Sequence, residues 1–267
     1  MLTVDQVEKS YAGGGLFSRK SKKILQNISF ALEAGEVLGI IGESGSGKST
    51  LGRLLLGIEK ADRGTIQFEG ISIGERAGRR GMISAVFQDY TSSIHPFYTV
   101  EKALAEPLKL LGRKDREVGE RIDFLLRQVG LDSSYRKKYP HELSGGEAQR
   151  VCIARAVSTE PKCILLDEAV SSLDASVQFQ VLELLKKLKE SYGMSYIFIT
   201  HDIQAAVYLC DRLMFVRYGQ IEEIVSAHQL NDVRSEYSKD MLRMALRLAG
   251  PGEDLIVDNE NWKERIL

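Results

Sequence analysis

The contiguous stretch VLGII-GESGSGKST-LGRLLLG, residues 37–57, constrains the fold of this chain more than any other. An apolar run short enough for a buried strand enters a glycine-rich loop, and the loop enters a helical pattern. The loop fits G-x-x-x-x-G-K-[ST], and strand-loop-helix is the context in which that spacing holds phosphate. Glycines let successive backbone N–H groups curl around an anion without Cβ clashes. The nine positions Gly42, Glu43, Ser44, Gly45, Ser46, Gly47, Lys48, Ser49 and Thr50 are the candidate nucleotide-binding loop. In it Lys48 would reach the β- and γ-phosphates, and Ser49 would offer its hydroxyl to Mg2+. The bland alternative is a Gly/Ser turn.

Further β-branched runs recur along the chain: NISFAL, GTIQFEG, MISAVFQD, KCILLDE and SYIFITHD. Three segments, VLGII, CILLD and YIFIT, are almost continuously apolar, as strands buried on both faces of a parallel sheet are. In residues 175–192, Val177, Val181, Leu184, Leu185 and Leu188 fall on one helical face. Strands alternating with helices predict an α/β fold with its phosphate site at strand ends. Residues 90–159 lack strand patterns and show helical ones at 100–111 and 116–129, so a helical insert is expected there. Residues 12–23, AGGGLFSRKSKK, read as a hairpin loop with a solvated charge run, and residues 249–267 as a polar tail.

The bulk numbers exclude more than they assign. The 267 residues carry 36 Lys+Arg against 37 Asp+Glu, a formal net charge of −1, which argues against nucleic acid or an anionic membrane surface as the main partner. Cys152, Cys163 and Cys210 form no CxxC and no cluster with the four histidines, so neither a zinc site nor a disulfide framework is indicated and a reducing cytoplasm is expected. No run approaches the 18 apolar residues of a membrane span. Any membrane role is expected to come through a partner.

Two further stretches carry chemistry. CILLDE is a buried strand ending in two acids, where Asp167 could bind Mg2+ directly or through water and Glu168 could deprotonate an attacking water. LSGGEAQR, residues 143–150, is a Ser-Gly-Gly turn opening a helix, a second start able to attract an anion. One chain of this size has no evident need of two.

GESGSGKST, LSGGEAQR, CILLDE, SSLD and FITHD stand in the order and approximate spacing of ATP-binding-cassette (ABC) ATPases, and the chain resembles that family from Leu2 to about Leu248. The resemblance implies a P-loop ATPase with a RecA-like parallel-sheet core, an antiparallel β subdomain and a helical subdomain, using ATP and Mg2+. It implies that Tyr11 stacks on adenine, against the alternative of a strand-end tyrosine. Gln88 in VFQD would touch Mg2+ and the attacking water, His201 in THD would contact the γ-phosphate, and Asp174 in SSLD would cross a subunit boundary. It also implies a use for the second helix start: two cassettes pack head to tail, and Ser144, Gly145, Gly146 and Glu147 of one act on the ATP held by the other. Two departures stand out. Glu147 occupies a position where Gln is commoner, and Ala169 follows Glu168 where Pro is usual.

FQDYTSSIHPFYTV and EAVSSLDASVQFQVLELLKKL resemble the oligopeptide/nickel group of bacterial importers, and the short length and EAVS wording resemble its nickel-import subunits more than its peptide ones. That implies a second, non-identical ATPase subunit, two transmembrane permease subunits, a solute-binding protein and a peripheral position on the cytoplasmic face of the cell membrane. Nickel or a metal chelate is the expected solute, with di- or oligopeptides as the alternative. A non-transport ABC protein would carry tandem cassettes or long coiled coils, and one cassette without sustained heptads is expected here.

Overall fold

The structure, a computed structural model, describes residues 1–12, 21–75, 81–89 and 93–248. In chain order the strands are β1 (Leu2–Ala12), β2 (Ser21–Leu32), β3 (Val37–Ile41), β4 (Arg63–Phe68), β5 (Ile71–Ser72), β6 (Ile83–Phe87), β7 (Cys163–Asp167), β8 (Ser195–Thr200), β9 (Arg212–Arg217) and β10 (Gln220–Ser226). The helices are α1 (Lys48–Leu55), α2 (Val100–Leu110), α3 (Asp115–Gln128), α4 (Gly145–Val157), α5 (Ala175–Tyr192), α6 (Ile203–Leu209) and α7 (Glu236–Leu248). Short 3-10 turns occupy Ser133–Lys137, Pro140–Glu142 and Leu230–Asp232. The ends of the expected hairpin loop belong to strands instead: Ala12 closes β1 and Ser21 opens β2, while residues 13–20 and the tail 249–267 lie outside the described residues. Among the described residues no helix is long and apolar enough to cross a membrane.

The described residues divide into two compact units, those within Met1–Arg79 and Ile197–Leu267, and those within Arg80–Tyr196. The second is wider than the helical insert expected at 90–159, because it also takes β6, β7 and α5. The chain returns to the first unit within β8.

The first unit holds an antiparallel sheet in the order β2-β1-β4-β5. Its register places buried residues opposite one another, Leu2 beside Leu32 and Phe68, and Val4 beside Phe30 and Ile66. Between Val4 and Val7 the register slips, with Gln6 at φ 47° and its N–H donated to Ser29 Oγ at 2.8 Å. This bulge returns Val7 to the buried face opposite Ile28 despite the odd spacing. The unit's second sheet component is β3, buried along its whole length, paired parallel with β9, which pairs antiparallel with β10.

In the second unit β6 and β7 pair in parallel, Val86 beside Leu166 and Phe87 beside Asp167. The helix α4 is buried around most of its circumference, from Ala148 to Val157, as a central helix must be. Arginines tie its neighbours to it. Arg150 donates to the Val129 carbonyl at 2.9 Å and to Gln180 Oε1 at 3.0 Å, and Arg155 to the Ser93 carbonyl and Glu106 at 2.9 and 2.7 Å. Arg136 binds both Glu101 on α2 and Asp123 on α3.

Candidate nucleotide site and signature helix

In the first unit the glycine-rich loop joins the end of β3 to α1, whose N-cap is Gly47 at φ 106° with no side-chain cap. No side chain caps the first turn of α1, and a helix start of that kind attracts an anion. Lys48, 5% exposed, donates Nζ to the Gly42 and Glu43 carbonyls at 2.6 and 2.9 Å, folding its ammonium over the loop. Ser46 Oγ is buried with no hydrogen-bond partner among the described residues. An orphaned buried hydroxyl beside a buried ammonium is a cradle that a phosphate would complete. The loop is tight from behind: a Cβ on Gly42 would come within 2.2 Å of the Val216 carbonyl oxygen, so no larger residue fits.

Two contacts brace this loop. Gly219 donates its N–H to the Ser46 carbonyl at 3.0 Å, and the Tyr237 hydroxyl on α7 accepts the Glu43 N–H at 3.2 Å. Tyr11, at the end of β1, is half-buried. Its hydroxyl donates to Glu59, and Arg53 donates to the Tyr11 hydroxyl at 3.3 Å and to Thr50 Oγ1 at 3.2 Å. The Tyr11 hydroxyl and the Arg53 guanidinium hold the Glu59 carboxyl below its ordinary range. Tyr11 is thus tied to α1 through its polar end, and Lys9 Nζ stands 5.5 Å from its ring centroid. His201, exposed, lines a cavity of about 430 Å³ with Met241, Met244 and Ala245 of α7.

In the second unit the strand register assembles three of the expected residues. Because Phe87 lies beside Asp167, Gln88 and Glu168 each follow one step beyond a paired position at the same end of the β6–β7 pair. Glu168 has φ 50°, and its carbonyl accepts both the Ser171 N–H at 3.2 Å and the Ser171 hydroxyl at 2.9 Å. Asp174 is the N-cap of α5, accepting the Val177 N–H at 3.0 Å and the Ser176 hydroxyl at 2.8 Å, which hold its carboxyl below the usual range. Ser144 is the N-cap of α4 in a reciprocal capping box. Its Oγ accepts the Glu147 N–H at 3.3 Å, and Glu147 Oε2 accepts the Ser144 N–H at 2.7 Å. Packing requires Gly146, since a Cβ there would meet Val177 Cγ1 at 2.6 Å.

The family described as ABC transporter matches residues 25–171, from within β2 to the turn after Glu168. The chain belongs to the ABC transporter family. Over 247 residues it is 49% identical to the metal-staphylopine import system ATP-binding protein CntF of Staphylococcus aureus, covering 92% of this chain and 99% of that protein. It is 43% identical to the nickel import ATP-binding protein NikE of Rhodospirillum rubrum over 84% of this chain and 83% of that one. Among solved structures, the dimeric post-hydrolysis cassette MJ0796 bound to ADP and Pi superposes with a TM-score of 0.76 at 29% identity, over 85% of this chain and 99% of that chain. CbiO1 of Clostridium perfringens, part of the transporter complex cbiONQ, gives 0.77 at 27% identity over 91% and 93%.

As a P-loop ABC ATPase, the chain has the fold expected of it, with a nucleotide-binding loop, an antiparallel sheet and a helix-rich unit, and it hydrolyses ATP. Sequence reading passed over Gly219, Tyr237 and Ser171, which brace the P-loop and the Glu168 turn, and Tyr135, whose hydroxyl donates to Glu147 Oε1 in the second unit. Gly219, Tyr237 and Tyr135 act through contacts between separate elements, and Ser171 through two local hydrogen bonds to Glu168. Ser171 opens the SSLD motif beside Glu168 and Tyr135 lies near the signature, and only these two offered any sequence signal.

Proposed function

We propose that this chain is the ATP-hydrolysing subunit of a bacterial importer for transition metals, nickel or a metal–chelate complex, working with a second ATPase, two membrane permeases and a solute-binding protein. The observation that carries the reading is its likeness, over 92% and 84% of the chain, to the metal-staphylopine and nickel import ATPases named above. The P-loop, the carboxylates at the β7 end and the capped signature helix supply what such a subunit needs.

The residue roles are those that the resemblance implies, and the local geometry within each unit supports them. Lys48, the orphaned Ser46 hydroxyl and the α1 N-terminus hold the phosphates, and Tyr11 meets the adenine. Glu168 takes a proton from the attacking water, Gln88 orients that water, and His201 contacts the γ-phosphate. Mg2+ takes oxygen donors, and Ser49, Gln88 and Asp167 carry the oxygens that would hold it; when bound, it offsets phosphate charge. Ser144, Gly145 and Gly146 present the signature to the nucleotide of the partner subunit, with Asp174 at the same boundary. ATP then joins two cassettes and hydrolysis parts them, a bistable element able to move attached membrane subunits. The cavity of about 390 Å³ lined by Phe87, Ser93, Pro107 and Arg155 in the second unit is where we place the permease contact, at the cytoplasmic face of the membrane.

Uptake decides the solute. Cells with and without this chain are given labelled nickel, labelled nickel with a metal chelator, and a labelled dipeptide. Loss of metal uptake alone is the expected result. Loss of dipeptide uptake alone would move the protein to the peptide branch and leave the catalytic residues where they are.

A further inference from the structure

The helix α4 opens with a capping box and two donors that the box does not use. The N–H groups of Gly145 and Gly146 occupy the first two helical positions, where no acceptor exists within the helix. Those are the groups the signature would offer to a phosphate. Glu147, one position further, carries a competing anion of its own. A helix N-terminus attracts any negative charge in its first turn, and a carboxylate on the same turn never has to diffuse there. A glutamine at this position would bring no such charge.

In the structure both oxygens of Glu147 are engaged elsewhere. Oε2 accepts the Ser144 N–H at 2.7 Å, and Oε1 accepts the Tyr135 hydroxyl from the 3-10 turn Ser133–Lys137. Lys138 Nζ stands 3.7 Å from the Tyr135 ring centroid, packing the ring against its own turn. The Tyr135 hydroxyl first, and the Ser144 N–H second, hold the Glu147 carboxyl below its ordinary range, so it is an anion at neutral pH and its pull towards the helix start persists.

We propose that Tyr135 is a positioning residue for the signature: by tethering Oε1 of Glu147 it keeps the chain's own carboxylate off the Gly145 and Gly146 N–H groups and leaves them for the phosphate of the partner subunit's ATP. The proposal rests on the cross-subunit reading of the signature given above. It also accounts for a glutamate being tolerated where glutamine is commoner, since the tyrosine removes the cost of the charge.

The test uses Tyr135→Phe, which deletes the hydroxyl alone, in the complete chain assembled with its partner ATPase and membrane subunits. KM for MgATP is expected to rise about two- to tenfold, the span of one net hydrogen bond, while the affinity of the isolated full-length chain for MgATP at its own P-loop stays unchanged. Amide exchange at Gly145 and Gly146 in the nucleotide-free chain is expected to slow as Glu147 takes those protons. On a Glu147→Gln background the same Tyr135→Phe change is expected to leave KM and exchange alone. Equal effects in both backgrounds would mean that Tyr135 merely packs, and unchanged exchange in the Glu147 background would mean that no competition exists; either result overturns the proposal. Ser144→Ala separates the underlying reading. If it leaves KM in the assembly untouched, the signature does not act across the subunits and the proposal falls with it.

Discussion

Glu168 keeps a backbone φ of 50° at the end of β7, a conformation that costs a residue with a Cβ about 1–2 kcal/mol. Ser171 holds it there twice, through its N–H and its hydroxyl on the same carbonyl. Two hydrogen bonds on one carbonyl hold the strained backbone and so fix where the side chain starts. Glu168→Gln keeps the shape and removes the proposed base. MgATP should still bind and cassettes should still pair, while phosphate release falls about 10²- to 10⁴-fold. A phosphate-release assay checks this, and a normal rate would remove Glu168 from the proton-transfer role. At this scale the sequence was legible wherever a motif spans consecutive residues, as in GESGSGKST and CILLDE. Tyr237 was not, because its contact is with Glu43, 194 residues away, and nothing in SEYSKDMLRMAL marks one tyrosine as a partner of the P-loop.

Among the elements, the strands legible in the sequence were the unbroken apolar runs of β3, β7 and β8 and the β-branched runs within β2, β4 and β6. Those passed over have physical reasons. In β1 the bulge at Gln6 shifts the buried set from Leu2 and Val4 to Val7, so the period of two fails midway. In β9 only Leu213–Val216 are buried between Arg212 and Arg217, and Arg212 is satisfied outside its strand by Glu36 at 2.7 Å and the Ala31 carbonyl at 2.9 Å. A short core flanked by charges looks like a loop. The helix α4 raises the opposite problem. Its Ser-Gly-Gly start reads as ligand chemistry, yet Gly146 is also needed for packing against α5. Gly146→Ala should overpack that contact and destabilise the protein by about 1–3 kcal/mol, lowering the melting midpoint by about 2–4 °C for each kcal/mol. Thermal melting without nucleotide reads this apart from any effect on ATP. An unchanged midpoint would mean that α4 and α5 can separate freely.

For the molecule as a whole, cysteine spacing indicated no disulfide framework, and Cys152, Cys163 and Cys210 are buried thiols. Burial pushes the thiols of Cys152 on α4 and Cys163 on β7 up to about 12, against about 8.5 in an unfolded chain. The sign of the consequence follows from proton counts. Above pH 8.5 the unfolded chain gives up these protons while the folded chain keeps them, so the stability is complete below that pH and is lost as pH rises towards 12. Each thiol withdraws up to about 1.4 kcal/mol per pH unit in that window. Tyr196, buried and likewise raised, adds to the same alkaline loss. All three belong to the second unit, and Tyr196 holds the Leu185 carbonyl at 3.0 Å within it. Denaturant unfolding at pH 8, 9, 10 and 11 should therefore show a stability that falls steeply above pH 9. Replacing Cys152 and Cys163 together by alanine should flatten that slope without abolishing it, whatever the variant's stability at pH 8. A slope identical to that of the native chain would mean that the two thiols ionise without unfolding, and that the second unit admits solvent to α4 and β7 while still folded.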